Sequence, residues 1–352
     1  MAIDEAKLNE FIGKFAGDLG AVLHAATVLI GDKLGLYKAM ADGTPVTPAE
    51  LARRTGGDER YLTEWLSAQA ASGYVEYADG GFHLTEEQAF ALAGEDNAFF
   101  APGGLQVAAS TIKDYERTAE AIKEGRGVSW GDHHHDLYEG TDRFFRPNYI
   151  GNLVSSWLPA LDGVVAKLEA GACVADVGCG HGSSTILMAQ AYPNSTFLGT
   201  DPHGGSIQAA RKAAAHAGVA DRVQFEVAGA KDYSGESYDL VTLFDCLHDM
   251  GDPIGALAHV RSTLADAGTM MIVEPHAGDR LEDNLNPVGR IFYSVSTLIC
   301  VPASKSQEVG LALGAQAGEA RTRWVAEQAG LRHFRRAAET PFNLVYEVRR
   351  SL

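Results

Sequence analysis

The sequence predicts an α/β fold for the C-terminal half of the chain, preceded by a smaller helical unit. Strand-like runs alternate with helical segments from Ala170 onward, which is typical of a mostly parallel sheet. The last two runs are separated only by the tight turn Thr340–Pro341, which permits an antiparallel pair. A seven-stranded sheet is therefore expected from CVADV, TFLGT, VQFEV, YDLVTLF, TMMIVE, HFRRAAE and NLVYEVRR.

The residues before about 95 have the element order of a winged helix. Apolar side chains recur at helical spacing from Leu19 to Met40, and a short helix follows over 48–56. Asp58 caps a third helix, and two short strands flank the turn at Gly80–Gly81. We expect three segments: a winged-helix-like domain over 1–95, a helical connector with substrate-pocket residues over 96–165, and the α/β domain over 166–352.

The composition argues against several partners and compartments. The 352 residues include 46 acidic and 29 basic side chains, which gives a net charge of −17. Such a charge repels the phosphates of nucleic acids and anionic membranes. The N-terminus lacks the features of a secretory signal, no apolar run approaches the length of a membrane span, and the four cysteines occur singly. We expect a cytoplasmic protein with no nucleic-acid and no membrane partner.

The strongest local signal is VADVGCGHGSST over 174–185, a buried strand that enters a glycine-rich loop before a helix. Glycines permit a sharp turn and a close approach by a ligand. Asp176 ends the strand, and Asp201 ends the next strand, where it can accept hydrogen bonds from ribose hydroxyls. Asp176 stands two residues before the first glycine, and the glycines follow the order G-x-G-x-G. Both features disfavour a site for the pyrophosphate of a dinucleotide, and they therefore disfavour an NAD-dependent oxidoreductase.

The C-terminal half resembles the class I S-adenosylmethionine-dependent methyltransferases. The motif DVGCGHG, the strand end TDPH and the antiparallel last strand carry this resemblance over roughly 165–352. Small-molecule O-methyltransferases of this kind often have a winged-helix dimerisation domain ahead of the catalytic one. The resemblance therefore implies a Rossmann-like methyltransferase domain, S-adenosyl-L-methionine as the cofactor, a small-molecule acceptor and a homodimer.

The resemblance also implies which residues bind the cofactor. The segment AGAKDY follows the third predicted strand. In the family an acid often stands directly after the glycine of this segment, but here it does not, so Asp232 is the alternative contact for the adenine. The implied residues are Asp176, Gly178, Cys179, Gly180 and Gly182 for the methionine part, Asp201 for the ribose, Pro202, His203, Ala230 and Lys231 for the adenine, and Phe244, Asp245 and Cys246 beneath the sulfonium.

The catalytic prediction concerns His248 and Asp249 in the segment LFDCLHDMGDP. The pair resembles the His-Asp pair of plant-type O-methyltransferases, in which the histidine is the general base. An acceptor hydroxyl loses a proton as it attacks the methyl group, and histidine is basic near neutral pH. Met250 stands where the family usually has tryptophan. The alternative is that His248 only shapes the pocket and that alignment alone drives the reaction.

Aromatic residues in two segments are candidates for binding the acceptor, although packing against the sheet is the alternative. They are Phe145, Tyr149, Phe292 and Tyr293. We predict no metal site, because His133, His134 and His135 are adjacent in a loop and lack a metal-binding spacing. A solvated or substrate-facing loop is expected there instead.

The alternative function is a winged-helix transcriptional regulator with a ligand-sensing methyltransferase-like domain. A helix that enters the major groove needs Arg, Lys, Asn or Gln to contact phosphates and bases. The third helix, DERYLTEWLSAQ, is acidic and carries Arg60 as its only basic residue. This composition favours dimerisation.

Overall fold

The computed structural model describes residues 3–351 and divides into two compact units. The first unit ends at Ala109 and the second begins at Ser110. The predicted boundaries at 95/96 and 165/166 remain predictions. Helix α6, at the division between the units, covers Pro102–Lys113.

Helices and one short hairpin build the first unit. Thr47 and Asp58 cap the two helices of the helix-turn-helix, where each side chain accepts a hydrogen bond from a backbone N–H. The elements are α1 (Glu5–Lys33), α2 (Leu36–Met40), α3 (Pro48–Thr55), α4 (Glu59–Ala71), β1 (Glu76–Ala78), β2 (Gly81–His83) and α5 (Glu86–Ala93).

The first helix differs from the prediction of one helix over Leu19–Met40. It begins at Glu5, after an N-cap at Asp4, and it ends at Lys33. Gly35 then adopts the left-handed conformation, with φ of 67°, which separates α1 from α2. The sequence did not predict this break, because Gly35 is a single glycine within an apolar helical pattern.

Helix α1 is also the one described helix that is long and apolar enough to cross a membrane. Its most apolar window of 18 residues has a mean hydropathy of 1.2, and 11% of that window is buried. The expectation that no segment has this length and hydropathy is therefore wrong for α1.

The second unit contains the sheet and its covering helices. Its helices are α7 (Tyr115–Glu124), α8 (Asp136–Asn152), α9 (Val164–Ala170), α10 (Ser183–Ala191), α11 (Gly204–His216), α12 (Pro253–Thr263), α13 (Pro287–Val295), α14 (Val301–Lys305) and α15 (Gly318–Gln328). Its strands are β3 (Cys173–Val177), β4 (Thr196–Asp201), β5 (Val223–Val227), β6 (Tyr238–Phe244), β7 (Leu264–Pro275), β8 (His333–Glu339) and β9 (Asn343–Arg349).

The prediction of a seven-stranded sheet closed by an antiparallel strand is confirmed. The strand order is β5-β4-β3-β6-β7-β9-β8. Strands β3 to β7 are parallel, and β9 is antiparallel to both β7 and β8. The order reverses beside β3, since the chain continues first to β4 on one side and later to β6 on the other. A crevice for a ligand forms at such a point, outside the carboxyl ends of the strands.

Apolar side chains cover both faces of this sheet and hold it rigidly. One buried cluster includes Trp157, Phe197 and Phe225, and the other includes Leu243, Leu257 and Tyr346. Because both faces are buried, the parallel strands read as nearly continuous apolar runs in the sequence. The polar residues that end these strands are correspondingly few, and they converge on one edge of the sheet.

Candidate active site

The glycine loop joins β3 to α10 at the reversal of strand order. The backbone N–H groups of Gly178 and Cys179 both donate to the carbonyl of Thr200, at 2.8 and 3.0 Å. Gly178 has φ of 77°, and a Cβ there would lie 2.8 Å from Cys246 Sγ, so a side chain is excluded. Gly180, with φ of 53°, has no atom within 4 Å of the position of a Cβ. The loop is therefore packed at its base and open at its tip.

Asp176, predicted to bind the methionine part of the cofactor, is buried beneath this loop. Its Oδ2 accepts hydrogen bonds from Ser184 Oγ and Thr185 Oγ1, each at 2.6 Å, and its Oδ1 accepts one from Thr242 Oγ1 at 2.9 Å. Burial raises the pKa of this carboxyl, although the three hydroxyls oppose the shift. Asp176 thus fixes the start of α10 to β3 and β6.

Asp201 connects the tip of the loop to the end of β4. Its Oδ2 accepts the backbone N–H of Gly180 at 3.1 Å, and its Oδ1 accepts that of His203 at 2.8 Å. Burial raises the pKa of Asp201. The ring of His203 lies 4.2 Å, centroid to centroid, from that of Tyr138. A carboxylate, an open backbone and an aromatic pair therefore meet where the ribose and adenine were predicted.

The other predicted adenine contacts lie after β5. Ala230 packs against a buried cluster of the sheet. The ammonium of Lys231 is 2.7 Å from Glu308 Oε2 and 3.2 Å from Asp252 Oδ2, so two carboxylates already engage it. The adenine-binding role of Lys231 remains a prediction.

The end of β6 contributes three adjacent residues that face different surroundings. Phe244 packs against Tyr149, with ring centroids 5.2 Å apart, and Cys246 Sγ contacts the carbonyl of Val177 at 3.3 Å. Asp245 has φ of 49°, a conformation that is rare for a non-glycine residue. Its Oδ1 accepts a hydrogen bond from Asn343 Nδ2 at 2.9 Å.

The second carboxylate oxygen of Asp245 is the more informative one. The residue is 8% exposed, and Oδ2 has no hydrogen-bond partner among residues 3–351. A buried polar atom without a partner costs free energy, and it is expected to be satisfied by a ligand or water. Burial, followed by the charge of Glu274, raises the pKa of Asp245 well above its usual range. A bound cation at Oδ2 would favour its ionised form.

His248 lies in a single helical turn directly after β6 and is buried. Its Nδ1 is 2.6 Å from Glu274 Oε2, and its Nε2 is 3.2 Å from Asp249 Oδ1. Glu274 Oε1 also accepts the backbone N–H of Leu247 at 3.1 Å, which holds this turn in place. Burial alone lowers the pKa of His248, but the carboxylates of Glu274 and Asp249 raise it well above 6.5.

Two residues that lie beside His248 were not predicted from the sequence. Glu274 lies at the end of β7, the strand adjacent to β6, and an acid in the apolar run TMMIVE was the available signal. Cys300 brings its Sγ within 4.8 Å of ligand atoms of His248 and Asp249. Nothing in the sequence indicated that it would lie there. His134, His135 and Asp136 bring three such ligand atoms together in a second group, which is more exposed.

The predicted acceptor residues lie in two places. Phe145 stacks on Tyr149, with centroids 6.3 Å apart, on the side of Phe244. Phe292 packs in a small cluster with Cys300, on the side of His248. Tyr293 lies beside Asn284, with its hydroxyl 3.5 Å from Nδ2. Apolar side chains therefore lie near the end of β6 and also near His248.

Comparison with known proteins assigns both domains. Residues 175–270 match a family described as a methyltransferase domain, and residues 23–94 match a family described as an Rv2258c-like winged HTH domain. A 27-O-demethylrifamycin SV methyltransferase from Amycolatopsis mediterranei is 30% identical over 167 residues, which are 46% of this chain and 56% of that protein. A trans-aconitate 2-methyltransferase from Paracidovorax citrulli is 31% identical over 108 residues, which are 31% of this chain and 40% of that protein.

These alignments, with a third to a Synechococcus protein, span 24% to 56% of the relatives' own lengths. Solved structures are similar over the whole chain. Human N-acetylserotonin methyltransferase in complex with SAM has a TM-score of 0.72 at 17% identity, with 100% of each chain covered. An O-methyltransferase family protein from Burkholderia thailandensis has a TM-score of 0.69 at 19% identity and covers 100% of this chain and 99% of its own.

Similarity at this level of identity concerns the fold, and it agrees with the two domain matches and the observed strand order. The prediction made from the glycine loop and the strand ends is confirmed. The chain combines an N-terminal winged-helix domain, matched over residues 23–94, with a methyltransferase domain, matched over residues 175–270.

Proposed function

We propose that the chain transfers a methyl group from S-adenosylmethionine to an oxygen atom of a small molecule, with His248 as the general base. The observation that carries this proposal is the arrangement around His248. A buried imidazole after β6 is held at Nδ1 by the carboxylate of Glu274, and its Nε2 lies 3.2 Å from Asp249 Oδ1. Histidines oriented in this way commonly act as bases.

The residues around the glycine loop fit a cationic cofactor. Three carboxyl groups, those of Asp176, Asp201 and Asp245, surround the loop, and the Oδ2 of Asp245 lacks a partner among the described residues. S-adenosylmethionine supplies an activated methyl group on a positively charged sulfur. We infer that Gly180 and Asp201 bind its nucleoside and that Asp245 lies on the side of its charged groups. A pyrophosphate would be repelled by these acids.

Proton transfer at His248 follows from the electrostatics of its neighbours. An acceptor hydroxyl would donate its proton to Nε2 as its oxygen attacks the methyl carbon, while the bond between that carbon and the sulfur breaks and S-adenosylhomocysteine is left. The imidazolium that forms is stabilised by Glu274 at Nδ1 and by Asp249 beside Nε2. Burial excludes water and strengthens both interactions. The proton transfer uses only side chains of this chain.

The direct test combines cofactor binding with product formation. Calorimetry is expected to show binding of S-adenosylhomocysteine, and the protein is expected to transfer labelled methyl groups from S-adenosylmethionine to compounds in a metabolite extract. Mass spectrometry of the labelled products would show whether the methyl group is on oxygen. Absence of cofactor binding, or methylation found only on carbon, nitrogen or sulfur, would contradict the proposal.

The rate is expected to rise with pH, because the base must be neutral and the pKa of His248 is raised above 6.5. Glu274→Gln removes one negative charge, so it should lower this pKa and shift the acid limb of the kcat profile to lower pH. The same ionisation stabilises the folded state below the unfolded-state pKa and ceases to do so as pH rises through the folded-state pKa. A wild-type acid limb centred at or below pH 6.5 would argue against His248.

The first unit is proposed to form a homodimer through α1. This helix exposes apolar side chains at helical spacing, and a second copy of the chain is the partner that would cover them. Exposed members of this row are Leu8, Phe11, Ile12, Phe15, Leu19, Val22, Leu23 and Ile30. The net charge of −17 opposes binding of the same row to an anionic membrane.

The surface of α4 does not offer the positive charge that DNA binding requires. Arg60 is paired with Glu64 at 2.6 Å, and Arg54 of α3 is paired with both Glu50 and Asp42. These pairs support dimerisation over the alternative of a transcriptional regulator.

Phe11→Glu combined with Phe15→Glu is expected to convert the dimer to a monomer, because both side chains are more than half exposed in one chain. Light scattering after gel filtration should show twice the mass of one chain for the wild type and a single mass for the variant. Leu281→Glu, at an exposed apolar residue of the second unit, is the matched control. A wild-type monomer, or recruitment of the wild type to uncharged vesicles instead, would contradict the dimer.

A further inference from the structure

A second buried histidine stands near the proposed base. His133 follows the short helical turn Trp130–Asp132, and its side chain is 1% exposed. Its Nδ1 is 3.3 Å from Asp114 Oδ2, whereas its Nε2 is buried and has no hydrogen-bond partner among residues 3–351. An unsatisfied buried nitrogen of this kind calls for an explanation.

Hydrogen bonds fix the loop of His133 beside the segment of His248. The backbone N–H of Val128 donates to the carbonyl of Pro302 in α14, at 3.0 Å. Within α14, Ser304 Oγ donates to the carbonyl of Met250 at 2.8 Å. His133 is consequently close enough to Asp249 to influence its charge. The loop of His133 is therefore packed against the segments that surround the base.

The protonation of His133 follows from its neighbours. Burial lowers its pKa in spite of Asp114, so the ring is neutral. A carboxylate accepts but does not donate, and Nδ1 must therefore carry the proton that faces Asp114. Asp114 Oδ2 also accepts the backbone N–H of His134 at 2.7 Å, which fixes the carboxylate. Nε2 is left with a lone pair, and a partner must supply a donor.

A second acceptor atom without a partner among the described residues belongs to the residue beside the base. Asp249 Oδ1 is buried, and its contact with His248 Nε2 lacks the alignment of a hydrogen bond. Both atoms that await a partner, His133 Nε2 and Asp249 Oδ1, accept hydrogen bonds. Glu274 adds a further carboxylate within bonding distance of His248. Acceptor atoms of this kind favour partners with hydroxyl groups and repel anions.

We propose that His133 binds the methyl acceptor by accepting a hydrogen bond at Nε2, and that the acceptor is a neutral compound with at least two hydroxyl groups. One hydroxyl faces His248 and is methylated, and another donates to His133. The inference rests on the proposed function, since it places the acceptor beside the same base. It adds a specificity residue and a substrate class.

The chain offers variants that separate this role from a structural one. His133→Asn keeps a donor within reach of Asp114 but has no atom at the position of Nε2. His133→Gln keeps a polar atom near the position of Nε2. His135→Ala is the matched control in the same loop, because that side chain is 80% exposed.

The experiment measures binding of small probes to the protein loaded with S-adenosylhomocysteine, by saturation-transfer NMR and calorimetry. The probes are dihydroxy fragments, led by catechol, and size-matched carboxylates, led by benzoate. Wild type is expected to bind the dihydroxy set and to reject the carboxylates. His133→Asn should weaken binding of the dihydroxy set about tenfold, His133→Gln should restore part of it, and His135→Ala should leave it unchanged.

The outcomes distinguish this inference from the proposed function. Wild type that fails to bind S-adenosylhomocysteine would contradict the proposed function. Normal binding of S-adenosylhomocysteine would overturn only the present inference if dihydroxy probes do not bind, if carboxylates bind equally well, or if His133→Asn binds the probes like wild type.

Discussion

Replacing His248 by alanine is expected to lower kcat about 10²- to 10⁴-fold, the range that general-base catalysis supplies. Cofactor affinity should be unchanged, because the imidazole is held by Glu274 and Asp249, which lie outside the glycine loop over 178–182. The measurement is methyl transfer at saturating acceptor, together with calorimetry of S-adenosylhomocysteine.

A structural effect can be separated from the chemical one. Alanine at 248 leaves the carboxylate of Glu274 buried without its partner, which destabilises the fold. His248→Asn keeps a donor for Glu274 but has no atom at the position of Nε2, so it should fold well and remain inactive. His216→Ala, an exposed histidine at the end of α11, is the control. An asparagine variant that retains wild-type turnover would reduce His248 to shaping the pocket.

Replacing Asp201 by alanine should weaken binding of S-adenosylhomocysteine by about 10- to 100-fold, since hydrogen bonds to a charged group contribute ~1.5–3 kcal/mol. Two effects combine in this loss. The ribose loses its carboxylate, and the tip of the loop loses the acceptor for the N–H of Gly180.

Asp201→Asn separates these two effects. The amide oxygen can still accept the N–H of Gly180 or His203, so the loop should keep its conformation while affinity falls. Asp221→Ala, at a carboxylate that is 74% exposed, is the control for a change of net charge. Equal affinity in wild type and in both Asp201 variants would remove this residue from the cofactor site.

The strands, the antiparallel last pair and the glycine loop could be predicted because each depends on a local pattern. The run VADV forms a buried strand, and the glycines that follow it take conformations that other residues adopt rarely. Ser184 and Thr185, which engage Asp176, stand within the same motif. Their role could have been inferred from their hydroxyls and from the burial of the acid.

The partners of the proposed base could not be predicted in the same way. Glu274 and Cys300 are separated from His248 by about 26 and 52 residues along the chain. Only the packing of β7 and of the segment before α14 brings them near it. Asn343, which donates to Asp245 from β9, is a further case. A single sequence does not contain the pairing information that would join such positions.

The break after α1 shows the opposite limitation. Gly35 lies in a pattern that is apolar on both sides, so the periodicity predicted one helix where two occur. A glycine within a helical pattern has two readings, an interior position or the end of a helix. The tertiary packing of Leu36, Tyr37 and Met40 in the core of the first unit determines which one applies.

The carboxyl groups around the glycine loop have a consequence for proton balance. Burial raises the pKa of Asp176, Asp201 and Asp245, and a positively charged ligand stabilises their ionised forms. Uptake of the sulfonium form should therefore expel protons into the buffer, and affinity should increase as the medium becomes more alkaline. The spent cofactor has lost one positive charge, so it should expel fewer protons and leave the enzyme more readily. Titrations in buffers with different ionisation enthalpies would measure this difference directly.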